Sequence, residues 1–286
     1  MSTANFIPTV WAGAILRWLE KSLVYASVCN RNYEGDIKNQ GDSVKINQIG
    51  DITVNTYAKT DITVQTLNDA AMFLKIDQAK YFAFSVDDMD KVQSNVNLLE
   101  AASQKAGYAI RDTADQFIAT KYADAGVTTG LGTTSVPLDI SADGAGSTVK
   151  ASNLMSRFQR RLDDAKCPKD GRWLVIPPWL EQKLILEKIL LPLPNGTDVN
   201  YDNGRIGQKV FGFDVRVSQN VPVSSSKYRI MAGSMDAITY ADQIVSVESF
   251  RPDLRFSDAV KGLHVYGAKV VRADCLASAC CTEAAT

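Results

Sequence analysis

The sequence predicts an α+β fold, and three stretches carry that reading. Between Asn30 and Asp87 apolar residues alternate with polar ones at a period of two, the pattern of strands with one buried face. From Val92 onward they recur at steps of three or four, as Val92, Val96, Leu99, Ala102, Ala106, Ile110, Ala114 and Phe117, one face of a long helix. Beyond Gly126, helix and strand signals alternate before a run of strands fills the remainder.

The chain opens with a polar tail to residue 7, and Pro8 suits the first turn of a helix. Trp11, Ile15, Trp18, Leu19 and Leu23 share the apolar face of that helix, opposite Arg17, Glu20 and Lys21. It docks through two tryptophans, on the chain's own core or on a partner. The alternating stretch pairs Val44 with Ile46, Ile52 with Val54, Ile62 with Val64, Met72 with Leu74 and Ile76, and Phe82 with Phe84 and Val86. Turn residues at Gly35-Asp36, Gly41-Asp42 and Gly50-Asp51 separate these strands, and Asn55 to Asp61 is polar and small apart from Tyr57. An extended hairpin with one thin apolar face needs a surface to lie on. Its length and polarity favour a second copy of the chain over the chain's own body.

The regular part of the long helix, Leu98 to Tyr122, would span about 37 Å at roughly 1.5 Å per residue. Glu100, Gln104, Lys105, Arg111, Asp112, Asp115 and Gln116 cover its polar face. Asp87, Asp88 and Asp90 are placed to cap its start, and Gly126 to end it in a left-handed conformation. Such a helix is a strut. Val127 to Ser147 is a Gly, Thr and Ser-rich connector with a short strand near Val136. Leu154, Phe158, Leu162 and Ala165 mark a second amphipathic helix, whose Arg157, Arg160, Arg161 and Lys166 form a solvated face or meet an acidic partner. Trp173 to Ile176 is a strand stopped by Pro177-Pro178, Trp179 to Leu190 a third helix, and Pro192 to Gly204 an irregular loop. Val210 to Val217, Tyr228 to Ala232, Ala237 to Tyr240, Ile244 to Phe250 and Leu263 to Val271 read as strands.

Composition narrows the class. With 286 residues, 45% hydrophobic and 22% charged, the chain is a folded globular protein, neither disordered nor collagen-like. No apolar run reaches bilayer length and no secretory signal opens the chain, which points to folding in a cytoplasm. Five cysteines without metal-ligand spacing, and odd in number, read as thiols. With a net charge of −1 and no basic tail, tight electrostatic binding to nucleic acid is not expected.

Candidate chemistry is sparse. His264 could serve a Ser-His-Asp triad, but no Gly-x-Ser-x-Gly elbow exists and no serine is placed beside it, so it reads as structural. The aspartates 87, 88 and 90 could hold a cation but more simply cap the strut. Gly130-Leu-Gly132 lacks the third glycine and the lysine of a phosphate loop. Asn195-Gly-Thr197 matches a glycosylation acceptor, which is empty without a secretory signal. Nothing here supports catalysis, a cofactor or a metal site.

Several stretches, in order, resemble the major capsid (coat) proteins of tailed bacteriophages with the Hong Kong 97-type fold. They are Asn32-Tyr-Glu34 leading into Gly41-Asp-Ser-Val-Lys-Ile46, then Ile49-Gly-Asp-Ile-Thr-Val54, and Ile76-Asp-Gln-Ala-Lys-Tyr-Phe-Ala-Phe-Ser-Val-Asp-Asp88. After the long helix come Gly171-Arg-Trp-Leu-Val-Ile-Pro-Pro178, Asn203-Gly-Arg-Ile-Gly207, Gly212-Phe-Asp-Val215 with Ser218-Gln-Asn-Val-Pro222, and Ala259-Val-Lys-Gly-Leu-His-Val-Tyr-Gly-Ala-Lys-Val-Val-Arg272. The set covers nearly the whole chain.

The resemblance implies an N-terminal arm over residues 1–30 and an extended β-hairpin loop over 31–86. It implies a spine helix over 87–127, an axial domain over 128–243, peripheral return strands over 244–272 and a tail over 273–286. It implies a subunit that self-assembles into pentamers and hexamers of an icosahedral head and encloses double-stranded DNA without reading its sequence. Asn55, Thr56, Tyr57, Ala58 and Lys59 at the hairpin tip, with Trp11 and Trp18 in the arm, become the expected inter-subunit contacts. A separate scaffolding protein is expected, because no long helical N-terminal extension is present; a portal and decoration proteins would be further partners, and no membrane is involved. The expected location is the virion, with assembly in the host cytoplasm. Ala273 stands where such proteins often carry proline, and there is no room for a large inserted surface domain. A bacterial encapsulin-like compartment is the nearest alternative, and a cytoplasmic α/β hydrolase using His264 a remote one.

Overall fold

The computed structural model describes residues 24–32, 43–49, 54, 56, 69–87, 98–144, 148–187, 201–202, 205–250 and 257–284. The expected N-terminal helix, the Ile52 and Ile62–Val64 strand residues, and most of the hairpin tip lie outside them.

Two bodies of sheet share one strut. β1 (Ser43–Ile49) and β2 (Asp69–Lys75) form the antiparallel base of the hairpin, with Ile46 opposite Met72 and Val44 opposite Leu74. β3 (Gln78–Asp87) is an edge of a three-stranded antiparallel sheet whose other members are β12 (Ile238–Phe250) and, in the centre, β13 (Ser257–Val270). The strut α1 (Leu98–Ala119) packs on β3 and β13. Its buried residues Ile110, Ala114 and Ile118 repeat every four positions, as the sequence pattern requires.

The larger body is a nine-stranded sheet built from β4 (Leu138–Ser141), β5 (Val149–Lys150), β6 (Arg172–Ile176), β7 (Tyr201–Asp202), β8 (Arg205–Val210), β9 (Phe213–Val217), β10 (Val223–Ser224), β11 (Lys227–Ser234) and β14 (Leu276–Glu283). Its order is β5-β4-β14-β11-β6-β9-β8-β7, with β10 against the start of β11. All five residues of β6 are buried, as in a strand covered on both faces, and it lies parallel to β9 and antiparallel to β11. α2 (Ala151–Asp164) seats Leu154, Met155, Phe158 and Leu162 in the main core. No side chain of its own caps this helix; Glu187, just past α3 (Pro178–Leu186), accepts from the N–H groups of Ala151 at 2.6 Å and Ser152 at 3.0 Å. A carboxylate there satisfies two free donors and complements the helix dipole.

Several expectations need correction. α1 stops at Ala119 and continues as a 3-10 turn, Thr120–Asp124. Gly126 is not left-handed. It donates to the Ala273 carbonyl at 3.0 Å, and a Cβ there would lie 2.8 Å from the same oxygen, so glycine is needed for close approach. Asp87 is the last residue of β3, so it sits in a strand and does not cap the strut; Asp88 and Asp90 lie outside the described residues. α3 ends at Leu186. A turn at Phe211-Gly212, both with positive φ, splits the expected strand Val210–Val217. The expected strands Ala237–Tyr240 and Ile244–Phe250 are one, β12, with an irregular step between Ile244 and Ser246.

Residues 273–286 are not a tail. Leu276–Glu283 form β14 in the middle of the large sheet, between β4 and β11, and Leu276 through Cys281 are buried. The run Leu-Ala-Ser-Ala-Cys-Cys does not alternate because both of its faces are covered.

Candidate assembly surface

The hairpin base is fastened to its own subunit. Ile46 and Leu74 point inward from β1 and β2 and join Ile76, Ala241 and Val265 in a second small core, flanked by Val44, Met72, Ala79 and Leu263. Lys45 and Phe73, paired across the hairpin, face outward, and Phe73 is half exposed. Gly267 of β13 makes the seat possible, since a Cβ there would fall 2.3 Å from the Lys75 carbonyl oxygen. The expectation that the hairpin rests on another copy is therefore corrected at its base: the period-two pattern gave the buried face but not its partner.

The root of the arm is fastened too. Tyr25, Ala26 and Val28 around the 3-10 turn Ala26–Val28 are buried against α1. Asn30 bridges to Thr239 of β12, donating to the Ile238 carbonyl at 2.9 Å and accepting from Tyr240 N–H at 3.0 Å. Arg31 pairs with Asp242 at 3.0 Å, and the other Asp242 oxygen lies 3.3 Å from His264 Nε2.

Asp115, in the middle of α1, is 3% exposed. It accepts the N–H of Tyr25 at 3.1 Å, with the N–H groups of Ala26 and Val24 also directed to it. The Asn220 amide, which donates to Asp112 at 2.7 Å, stands beside it. Burial pushes the carboxyl of Asp115 up to about 6, against the downward pull of those donors. Among the described residues Asp115 has no ion-pair partner. It sits three residues before Ile118 and one after Ala114, a position at the rim of the apolar stripe, and that was the available signal in the sequence.

The geometry offers little to catalysis. His264 is fully buried in β13 among Tyr266, Asp242 and Arg31, and no serine hydroxyl contacts its ring in the described residues. Among the described residues no three metal-ligating side chains converge. All five cysteines are free thiols and buried. Burial raises the thiols of Cys29 and Cys281, and pushes Cys167 up to about 11 beside Cys275, away from the reactive thiolate. Gly130 and Gly132 take left-handed conformations in a loop held by Arg157, whose guanidinium donates to the Gly130 carbonyl at 3.4 Å. Arg160 is exposed, and with Arg161 it lies 3.9 Å from Asp164, so this face is largely solvated and internally balanced. Among the described residues no helix is long and apolar enough to cross a membrane.

Of the expected contact residues, Trp11, Trp18, Asn55, Tyr57, Ala58 and Lys59 lie outside the described residues. Thr56 is exposed, as is its neighbour Val54, at 93%. The fastenings that sequence reasoning missed are Asp115, Arg31 with Asp242, and Gly267; each joins residues too far apart in sequence for a local pattern to pair them.

Comparison with known proteins places this architecture. The model of the phage capsid protein family matches residues 69–279, which span β2, β3, the strut, and the large sheet as far as the first half of β14. A structure from Mycobacterium phage Che8 is 29% identical over 90% of both chains, with a TM-score of 0.69. The capsid structure of cyanophage P-SCSP1u is 16% identical over 92% of this chain and 89% of that one, with a TM-score of 0.67. A virus-like particle from Pyrococcus furiosus is 10% identical over 95% and 98%, with a TM-score of 0.58. A search of curated protein sequences found no match. The fold is of the Hong Kong 97 type, and the chain belongs to the phage capsid protein family as a major capsid shell protein.

Proposed function

We propose that copies of this chain close into pentamers and hexamers and build an icosahedral head around double-stranded DNA. The carrying observation is the family match, which runs from the second strand of the hairpin base through the strut and the three-stranded sheet and into β14 of the large sheet. In this reading the three-stranded sheet with α1 is the peripheral domain and the nine-stranded sheet the axial domain. β12 runs unbroken through residue 243, so the change of domain falls near Ala237. The hairpin is anchored at home by Ile46 and Leu74, and its tip, Asn55 to Lys59, lies over a neighbour. Closed rotational symmetry lets one chain reuse the same two edges, and each covering contact removes apolar area worth roughly 25 cal/mol per Å².

A net charge of −1 suits a container that does not grip its genome. Trp11 and Trp18 dock the arm on a neighbouring copy, scaffolding and portal proteins are supplied separately, and assembly takes place in the host cytoplasm without catalytic activity from the subunit. Negative-stain microscopy of the purified protein, alone and co-expressed with a scaffolding partner, tests the reading. Closed shells are expected. A subunit that sediments as a single copy at high concentration under both conditions would overturn it. Charge reversal or proline within Asn55 to Lys59 is expected to abolish shells and leave a folded monomer.

A further inference from the structure

The chain contains two Asp-Gly steps, and the fold treats them differently. An aspartate followed by glycine can close a ring on itself, because the glycine amide nitrogen reaches the side-chain carboxyl carbon and glycine carries no side chain to obstruct the approach. The reaction needs a carboxyl free to turn, an amide without an acceptor, and room for the ring. Asp143-Gly144, between β4 and β5, lacks all three. Its amide donates to Ser141 Oγ at 2.8 Å, Asp143 is not free, and a Cβ at Gly144 would fall 2.8 Å from Lys150 Cγ.

Asp170-Gly171, in the turn between α2 and β6, meets every condition. Both residues are exposed. Among the described residues Asp170 makes no ion pair or hydrogen bond, and the Gly171 N–H has no acceptor. Gly171 takes a left-handed φ of 68°, and a Cβ there would meet only the Met235 side chain, no closer than 3.7 Å. Around this free tip the turn is clamped. The buried Arg172 donates from Nε to the Pro168 carbonyl at 2.8 Å and from Nη2 to the Cys167 carbonyl at 2.6 Å, and pairs with Asp163 at 2.7 Å.

We infer that Asp170-Gly171 is a site of spontaneous isomerisation, at which the main chain reroutes through the aspartate side chain and loosens the Arg172 clamp.

The step balances with water alone. The Gly171 nitrogen bonds to Asp170 Cγ, and its proton leaves with the carboxyl hydroxyl as one water molecule, which closes a succinimide ring. Water then reopens the ring. Attack at Cγ restores aspartate, whereas attack at the Asp170 main-chain carbonyl breaks the original peptide bond and leaves isoaspartate, with the main chain running through Cβ and Cγ. The composition is unchanged, but the backbone gains one atom between Pro168 and Arg172. Arg172 closes the turn at hydrogen-bonding distance without that atom, so its carbonyl contacts must lengthen. At Gly144 the hydrogen bond to Ser141 must break before the ring can form, which slows the reaction there by up to roughly ten-fold. This inference does not depend on the shell reading, because every atom in it belongs to one copy.

The test ages the full native chain in warm buffer at pH 7 for several weeks and counts isoaspartate at each site by peptide mapping, with a protein isoaspartyl methyltransferase as the label. Asn195-Gly196 and Asn203-Gly204, outside the described residues, lose ammonia in the same reaction and are told apart by mass. Isoaspartate is expected to accumulate roughly ten-fold faster at Asp170 than at Asp143 in the native chain, and at comparable rates in urea, where the fold no longer separates the two. Native accumulation at Asp143 equal to or ahead of Asp170 overturns the proposal. Asp170→Glu, which would need a larger ring, should form no isomer at that position and keep its fold, since Asp170 has no partner to lose. After equal ageing the unmodified chain should unfold at lower urea than Asp170→Glu; identical midpoints, with Asp170 isomerised, would overturn the loosening of the clamp.

Discussion

Replacing Gly267 by alanine tests whether the hairpin is truly seated on its own sheet. The added Cβ would sit 2.3 Å from the Lys75 carbonyl oxygen, 3.0 Å from Ile76 Cδ1 and 3.1 Å from Ile76 Cα. A relaxed carbon–oxygen contact is about 3.3 Å or more, so the end of β2 must retreat by about 1 Å. Two of the three crowded atoms are backbone, and no rotamer change relieves them. Overpacking of this kind costs about 1–3 kcal/mol. Lifting the small core of Ile46, Leu74 and Ile76 adds to that, and we expect about 2–3 kcal/mol in all.

Gly262 supplies the internal control. Its Cβ would come closer still, 2.2 Å, but to the ring of Phe82, a partly exposed side chain that can turn aside. Gly262→Ala should cost about 1 kcal/mol. Urea unfolding followed by tryptophan fluorescence gives both numbers. If Gly262→Ala is the costlier change, or if Gly267→Ala lies within about 0.5 kcal/mol of the parent, the seat is not where the structure puts it.

Other expectations follow from single contacts. Glu187→Ala removes the cap of α2 and should lower unfolding free energy by about 1 kcal/mol, within the range for lost caps, with Glu187→Gln intermediate. Phe158→Ala opens a cavity under α2, where the ring is fully buried, and should cost about 3–5 kcal/mol in the same urea assay. Gly212→Ala meets no atom within 4 Å but keeps φ at 79°, so it should cost only the left-handed penalty, about 1–2 kcal/mol, and leave shell formation unchanged by microscopy. A thiol reagent should label none of the five cysteines in the native protein at pH 7 and all five in urea, counted by mass.

The strut was legible because its buried positions keep a strict four-residue step through Ile110, Ala114 and Ile118. The hairpin base was legible for the same kind of reason, with Ile46 and Leu74 inward and Lys45 and Phe73 outward. What the sequence hid were matters of partnership. Alternation shows that a strand has an apolar face and is silent on which surface meets it, so the seat under Ile46 and Leu74 needed Gly267 and Val265 in view. β14 was missed because a strand buried on both faces has no period, and small residues such as Ala277, Ala279 and Cys280 read as an inert end. In the sequence Asp115 belongs with the polar face of the helix, because a polar letter at the rim of a stripe looks the same whether water or a backbone N–H answers it.

The position of β14 sets a timetable for biosynthesis. β4 is made just before the midpoint of the chain and β11 well after it, yet the strand that joins them side by side is the final one of the large sheet to leave the ribosome. At ~5–20 residues per second, β4 waits on the order of ten seconds for its neighbour. During that interval the larger sheet is in two parts, and a nascent chain cannot close it until Leu276–Glu283 has been made.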